Sequence, residues 1–158
     1  MLQPGASVLD LGCGPGGPRS EVLIAKGFAV YGVDAASSLA AAYRARFPTA
    51  RVACETVEES AFFDRTFDGA LAWGLMFLLQ ADVQRRVLGR VARALNAGGQ
   101  LLFTAPAQVC TWADLSTGRM SVSLGGSAYE AALASAGLSL VDQYVDEGEN
   151  HYYAAAKH

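Results

Sequence analysis

Hydrophobic positions along the chain alternate between two spacings. Short apolar runs at residues 8–11, 28–33, 51–54, 67–72 and 100–104 have the length of strands. Between them, apolar residues return every three or four positions, the helical spacing. The clearest case is residues 82–95, where Val83, Val87 and Val91 step by four and Leu88, Ala92 and Leu95 join them. In residues 37–47, Leu39, Tyr43 and Phe47 form a second stripe, predicted to be core. In residues 18–26, Val22, Leu23 and Ala25 are predicted to face inward, with Arg19 and Glu21 solvated and Gly27 as the stop. Alternating strands and helices predict an α/β fold around a mostly parallel sheet. The first strand is apolar on both sides at Val8, Leu9 and Leu11, as a central strand should be.

The pattern changes after the fifth strand. Residues 105–126 form a long connection, and a connection of that length in a compact domain usually means function or mobility. Ser127 is placed to cap a helix carrying Tyr129, Leu133 and Ala136, closed by Gly137. Residues 138–146 and 150–157 then read as two strands joined by Glu147-Gly148-Glu149.

Composition narrows the class. A chain of 158 residues is one domain, here 1–158. With 52% hydrophobic and 17% charged residues, general disorder is excluded. A net charge of -3 argues against a nucleic-acid surface, so Arg85, Arg86, Arg90 and Arg93 read as a solvated helix face. Cys13, Cys54 and Cys110 have no metal-ligand spacing and no even framework, which suggests free thiols and a reducing compartment. No signal peptide opens the sequence and no apolar run is long enough to span a bilayer, so a cytoplasmic location is the expectation.

The chemistry concentrates at the end of the first strand, in Val8-Leu9-Asp10-Leu11-Gly12-Cys13-Gly14-Pro15-Gly16-Gly17. Glycines allow a bend where backbone can touch a ligand, at the strand edge where open α/β sheets bind them. Gly12-x-Gly14-x-x-Gly17 satisfies the dinucleotide fingerprint, a weak signal alone. The stretch from Val8 to Gly16, with Asp10 before the turn and Pro15 inside it, more closely resembles motif I of the class I S-adenosylmethionine-dependent methyltransferases. Asp34 follows the turn by about twenty residues, the distance at which such folds place a ribose partner. A helix cap is its other reading.

The resemblance extends over residues 8–157. It implies a Rossmann-like class I methyltransferase fold: a mostly parallel seven-stranded sheet in the order 3-2-1-4-5-7-6, the last strand antiparallel, with helices on both faces. It implies S-adenosylmethionine as cofactor, S-adenosylhomocysteine as product, and contacts from Asp10, Gly12, Cys13, Gly14, Asp34, Ala35, Leu39, Glu55, Thr56, Val57 and Trp73. Leu39 would touch the adenine, Glu55 would accept from its amino group, and Trp73 would lie beside the transferred methyl. Trp73-Gly74 stands where nucleic-acid amino-methyltransferases carry their Pro-Pro motif, which favours a small-molecule acceptor. The 105–126 connection, with Pro106, Gln108, Trp112 and Asp114, is expected to shape the acceptor pocket, and the final hairpin to bring Asp146, Glu149, Asn150 and His151 to it. His151 is the candidate base, because its ordinary pKa lies nearest neutral. No metal ligands are expected.

The family's N-terminal helical cover has no counterpart before the first strand, which leaves a fragment, an open pocket, a homodimer or a partner-supplied lid open. Two other functions stay in play. One is a methyltransferase-like module that binds cofactor or partner without catalysis. The other is an NAD(P)-binding oxidoreductase, disfavoured by Asp10 and the final hairpin.

Overall fold

The computed structural model describes residues 1–158. Its first half alternates strand and helix: β1 (Ser7–Leu11), α1 (Arg19–Ala25), β2 (Ala29–Val33), α2 (Ser37–Arg46), β3 (Arg51–Ala53) and β4 (Phe67–Ala72). Then come α3 (Ala81–Ala94), β5 (Leu95–Thr104), β6 (Cys110–Ala113), β7 (Met120–Ser123), α4 (Gly126–Ser135), β8 (Leu138–Val145) and β9 (His151–Lys157).

Seven strands form one sheet in the order β3-β2-β1-β4-β5-β9-β8. The first five are parallel and β9 runs antiparallel between β5 and β8. This is the expected order once β6 and β7 are set apart, because they pair only with each other. The long connection is therefore not structureless. It contains an antiparallel hairpin, held by a buried polar cluster. Tyr129 Oη donates to Gln84 Oε1 (2.6 Å), and Gln84 Nε2 donates to the carbonyls of Leu79 (2.9 Å) and Val122 (2.8 Å). Gln84 is fully buried, so satisfying its amide ties α3, α4 and the hairpin together.

Alternation in β1 sorts the two faces of the sheet. Leu9 and Leu11 belong to the main core with Val87, Leu88 and Val91 of α3 and Tyr129 and Leu133 of α4. Val8 and Asp10 point to the face carrying α1 and α2. Phe103, Tyr129 and Tyr153 pack as a ring cluster beneath α4, with centroids 4.9–5.3 Å apart.

Several local expectations are corrected. Val22 and Ala25 are exposed, Leu23 is half-buried, and Ser20 is the only buried residue of α1. The reason is that α1 borders an open stretch of the sheet, where Leu71, Leu102 and Ala154 are only half-buried. Leu39 is 38% exposed while Tyr43 is fully buried, so the α2 stripe narrows to its C-terminal end. Ser127 caps nothing: Gly125, at φ 85, is the N-cap of α4, and Gly126 N–H is satisfied by Ala107 O. β5 begins at Leu95, with a bulge that takes up Asn96-Ala97-Gly98-Gly99. Arg90 is not solvated; it donates to the carbonyls of Val57 and Ser60 and lies 4.6 Å over the Phe62 ring.

Candidate functional site

Gly12, Gly14 and Gly16 all have positive φ (66, 56 and 96°), which makes the bend after β1 a run that side chains would resist. Two N–H groups of the bend, Gly12 and Cys13, converge on Val33 O (2.8 and 3.1 Å). Asp34 secures a third: its Oδ2 accepts from Gly14 N–H at 2.9 Å, and its Oδ1 accepts from Ala36 N–H at 2.9 Å. The helix-cap role is thus present, and each carboxylate oxygen keeps a second lone pair for a ligand. Glu55 joins the cluster through its N–H to Asp34 O (3.1 Å). Ala35, Leu39, Glu55 and Thr56 are exposed along the same edge. The Val57 side chain is buried in the core and its carbonyl is held by Arg90, so its N–H is the group left for the ring contact expected of it. Cys13 is buried too, and burial pushes its thiol up to about 12, so only its main chain is available.

Asp10 lies beneath this turn, fully buried. Burial raises its pKa above the ordinary carboxylate value, and the Ser20 hydroxyl, donating to Oδ2 at 2.6 Å, and the Arg19 charge act against that shift. Its Oδ1 has no hydrogen-bond partner, and neither has the buried Nε of Arg19. Arg19 is not solvated as its position in an amphipathic helix suggests. Its guanidinium sits 4.5 Å over the Trp73 ring. A buried acceptor and a buried donor, both unpaired, are costly unless a ligand satisfies them.

Trp73 starts a chain of polar contacts across the sheet edge. Its Nε1–H donates to Tyr152 Oη (2.9 Å), and Tyr152 Oη–H donates to Asp146 Oδ2 (2.9 Å). Asp146 also accepts from Asn150 N–H (2.9 Å) and Asn150 Nδ2 (3.1 Å). These bonds, Asn150 N–H foremost, hold the Asp146 carboxyl below its ordinary value. Asp146 therefore braces the β8–β9 turn and does not itself line the adjacent cavity.

That cavity, about 460 Å³, opens beyond the carboxyl ends of β4 and β5. Phe77, Pro106, Gln108, Trp112, Glu149, Asn150 and His151 are among its walls, so the long connection and the final hairpin do meet there. Asp114 does not join them; it closes the β6–β7 turn by accepting from Thr117 N–H (2.7 Å). Phe77 was not singled out in the sequence. It stacks at a tilt on Trp112, centroids 5.4 Å apart. His151 Nε2 is paired with Gln143 Oε1 at 2.9 Å, an arrangement in which Nε2 carries the proton and Nδ1 is the free acceptor.

A parallel sheet in this order, a glycine turn at its switch point and an acid at the end of β2 define a Rossmann-like nucleotide-type binding domain. The chain belongs to the methyltransferase-domain family, whose model matches residues 8–99, and its fold is that of the class I S-adenosylmethionine-dependent methyltransferases. No curated protein matches it. Among solved structures, a SAM-dependent methyltransferase of Methanosarcina mazei is similar over 99% of this chain and 94% of its own, at 18% identity and TM-score 0.82. The Burkholderia thailandensis 1,6-didemethyltoxoflavin-N1-methyltransferase, with bound 1,6-didemethyltoxoflavin and S-adenosylhomocysteine, is similar over 98% and 72%, at 23% identity and TM-score 0.79. A SAM-bound amino pentose methyltransferase of Micromonospora echinaspora, involved in calicheamicin biosynthesis, is similar over 98% and 84%, at 19% identity and TM-score 0.77. At these identities the likeness is one of fold.

Proposed function

We propose that this chain is an S-adenosylmethionine-dependent methyltransferase acting on a small-molecule acceptor. The observation that carries the reading is the adjacency of two sites. The glycine turn braced by Asp34 lies at the ends of β1 and β2, and the aromatic-walled cavity lies past the ends of β4 and β5. Trp73, at the end of β4, stands between them. Solved neighbours with bound S-adenosylmethionine or S-adenosylhomocysteine support the cofactor.

The residues present fit that cofactor. A Cβ built on Gly14 would meet nothing within 4 Å, so the turn faces open space. Asp34 has lone pairs for ribose hydroxyls, and Glu55, just past the end of the neighbouring β3, is an exposed acceptor for an adenine amino group. The unpaired Asp10 Oδ1 and Arg19 Nε suit the ammonium and carboxylate of an amino acid. The cofactor supplies an activated methyl group. The protein aligns the acceptor with it and excludes water. Held by the glycine turn, Asp34 and Glu55, the cofactor would supply a methyl group to the acceptor atom, with its sulfur keeping the electron pair of the broken bond. Any proton lost from the acceptor goes to His151 Nδ1 or to water.

Methyl transfer from labelled S-adenosylmethionine to a panel of small acceptors, with wild type and His151→Ala, tests this. Turnover by wild type and a loss of kcat in the variant support the assignment. Cofactor binding without transfer to any acceptor would favour the non-catalytic module instead.

A further inference from the structure

The walls of the 460 Å³ cavity are lopsided in charge and in hydrogen-bonding capacity. None of its lining residues is lysine or arginine, and its one ionisable acid is Glu149. Glu149 has no ion-pair partner anywhere in the chain, whose salt bridges are Arg46–Glu21 and Arg86–Asp82. His151 presents its free Nδ1, an acceptor, because Nε2 is taken by Gln143. The Asn150 amide N–H₂ is spent on Asp146, which leaves its carbonyl oxygen as the free end. Three neighbouring residues with acceptor atoms left over thus line the cavity, together with the aromatic Phe77 and Trp112.

The backbone supports a purpose for Glu149. It holds φ 62°, the left-handed region that a glycine or asparagine would occupy at little cost. A residue with a Cβ is disfavoured there. A left-handed backbone that sets an unpaired carboxylate at the rim of a cavity motivates a functional reading of that carboxylate.

Resting on the methyltransferase reading, we infer that the acceptor is a basic amine carried on an apolar or aromatic body, with Glu149 receiving its ammonium group and Phe77 and Trp112 its body. The cavity would then discriminate by charge. An ammonium gains from the carboxylate and from aromatic faces. An anionic acceptor finds no cation and meets the Glu149 charge. For transfer, the amine must first lose its ammonium proton, for which His151 Nδ1 is in place. The neutral nitrogen then bonds to the methyl carbon as the sulfur–carbon bond breaks, and the second proton leaves to solvent. The product is the N-methyl amine.

Three probes of nearly equal size isolate the charge: tyramine (cation), 4-hydroxyphenethyl alcohol (neutral) and 4-hydroxyphenylacetate (anion). Each is titrated calorimetrically into the full chain, with and without S-adenosylhomocysteine, whose own binding is measured first. The expected order is tyramine tighter than the alcohol by about fivefold, with the acid weakest, as a carboxylate exposed at the cavity rim would give. Glu149→Gln should reduce the tyramine-to-alcohol ratio to within about twofold while S-adenosylhomocysteine binds as in wild type. Glu149→Gly, which also relieves the backbone, should do the same and keeps the test valid if the glutamine variant folds poorly. Equal binding of all three probes, tighter binding of the acid, no tyramine binding at millimolar concentration, or a preference that survives both variants would overturn the inference. Failure of S-adenosylhomocysteine to bind would instead strike the cofactor reading, and the charge preference would still be read from the titrations without it.

Discussion

Asp34 Oδ2 accepts the Gly14 N–H at 2.9 Å, joining the end of β2 to the glycine turn that follows β1. The bond makes one carboxylate both a brace and a binding group. From sequence alone, Asp34→Ala is expected to lose cofactor affinity with little change in stability. The structure revises the second half. Two charge-assisted bonds are removed, each worth about 1.5–3 kcal/mol at most, so the melting midpoint should fall as well. Asp34→Asn, which retains one acceptor, should lie between. Calorimetry of unfolding and of S-adenosylhomocysteine binding on both variants checks this.

Gly14 and Gly16 separate ligand contact from scaffold. A Cβ on Gly16 would fall 2.9 Å from Phe47 Cδ2 and 3.0 Å from Tyr43 Cδ2, so Gly16→Ala overpacks the joint with α2. A loss of about 1–3 kcal/mol in urea unfolding is expected. A Cβ on Gly14 meets no protein atom within 4 Å. Gly14→Ala should cost only about 1 kcal/mol of backbone strain yet weaken S-adenosylhomocysteine binding at least tenfold. Equal effects of the two variants on binding would mean that the turn is only a scaffold.

Tyr152→Phe breaks the link from Trp73 to Asp146 and spares the stack with Tyr144, whose centroid lies 4.7 Å away. The freed indole N–H should red-shift or quench Trp73 emission. Asn150 keeps its bonds to Asp146, so KM for an acceptor should rise modestly, by about threefold, with kcat less changed.

Acid pH should act through groups of opposite sign. Asp68 and Asp146 titrate below the ordinary value of 3.8, held there chiefly by the N–H groups of Ser7 and Asn150. Their contribution to stability is present above 3.8 and is lost as pH falls through their folded values. Asp10 is raised by burial, so its contribution is present below 3.8 and is lost as pH rises through its folded value. Asp10→Asn should therefore raise the melting midpoint of the free protein at pH 7 while weakening S-adenosylhomocysteine. Thermal melts from pH 3 to 8, with Asp68→Asn as the opposite control, test the signs.

Much of this arrangement is legible in the chain because it is local. Strand, glycine turn and Asp34 follow from spacing, and the order of the sheet follows from the resemblance at Val8 to Gly16. What escaped depends on tertiary contacts. The β6–β7 hairpin has two four-residue strands and is held by Gln84, a polar residue with no periodic signal, and by the Tyr129 hydroxyl, whose partner the helical stripe does not reveal. Arg19 and Arg90 look like solvent charges by helical position, yet one covers Trp73 and the other satisfies two carbonyls. Leu39 follows the core period and stays exposed because α2 begins beside the open ligand edge. Ser127 has the composition of a cap, but Gly125 takes that place through its positive φ.

The most direct measurement is calorimetric titration of the wild-type chain with S-adenosylhomocysteine and, separately, with NAD(H), repeated on folded Asp34→Ala. Micromolar binding of S-adenosylhomocysteine alone, lost in the variant, is the predicted result. Binding of NAD(H) in its place, or wild-type affinity in Asp34→Ala, would contradict the account.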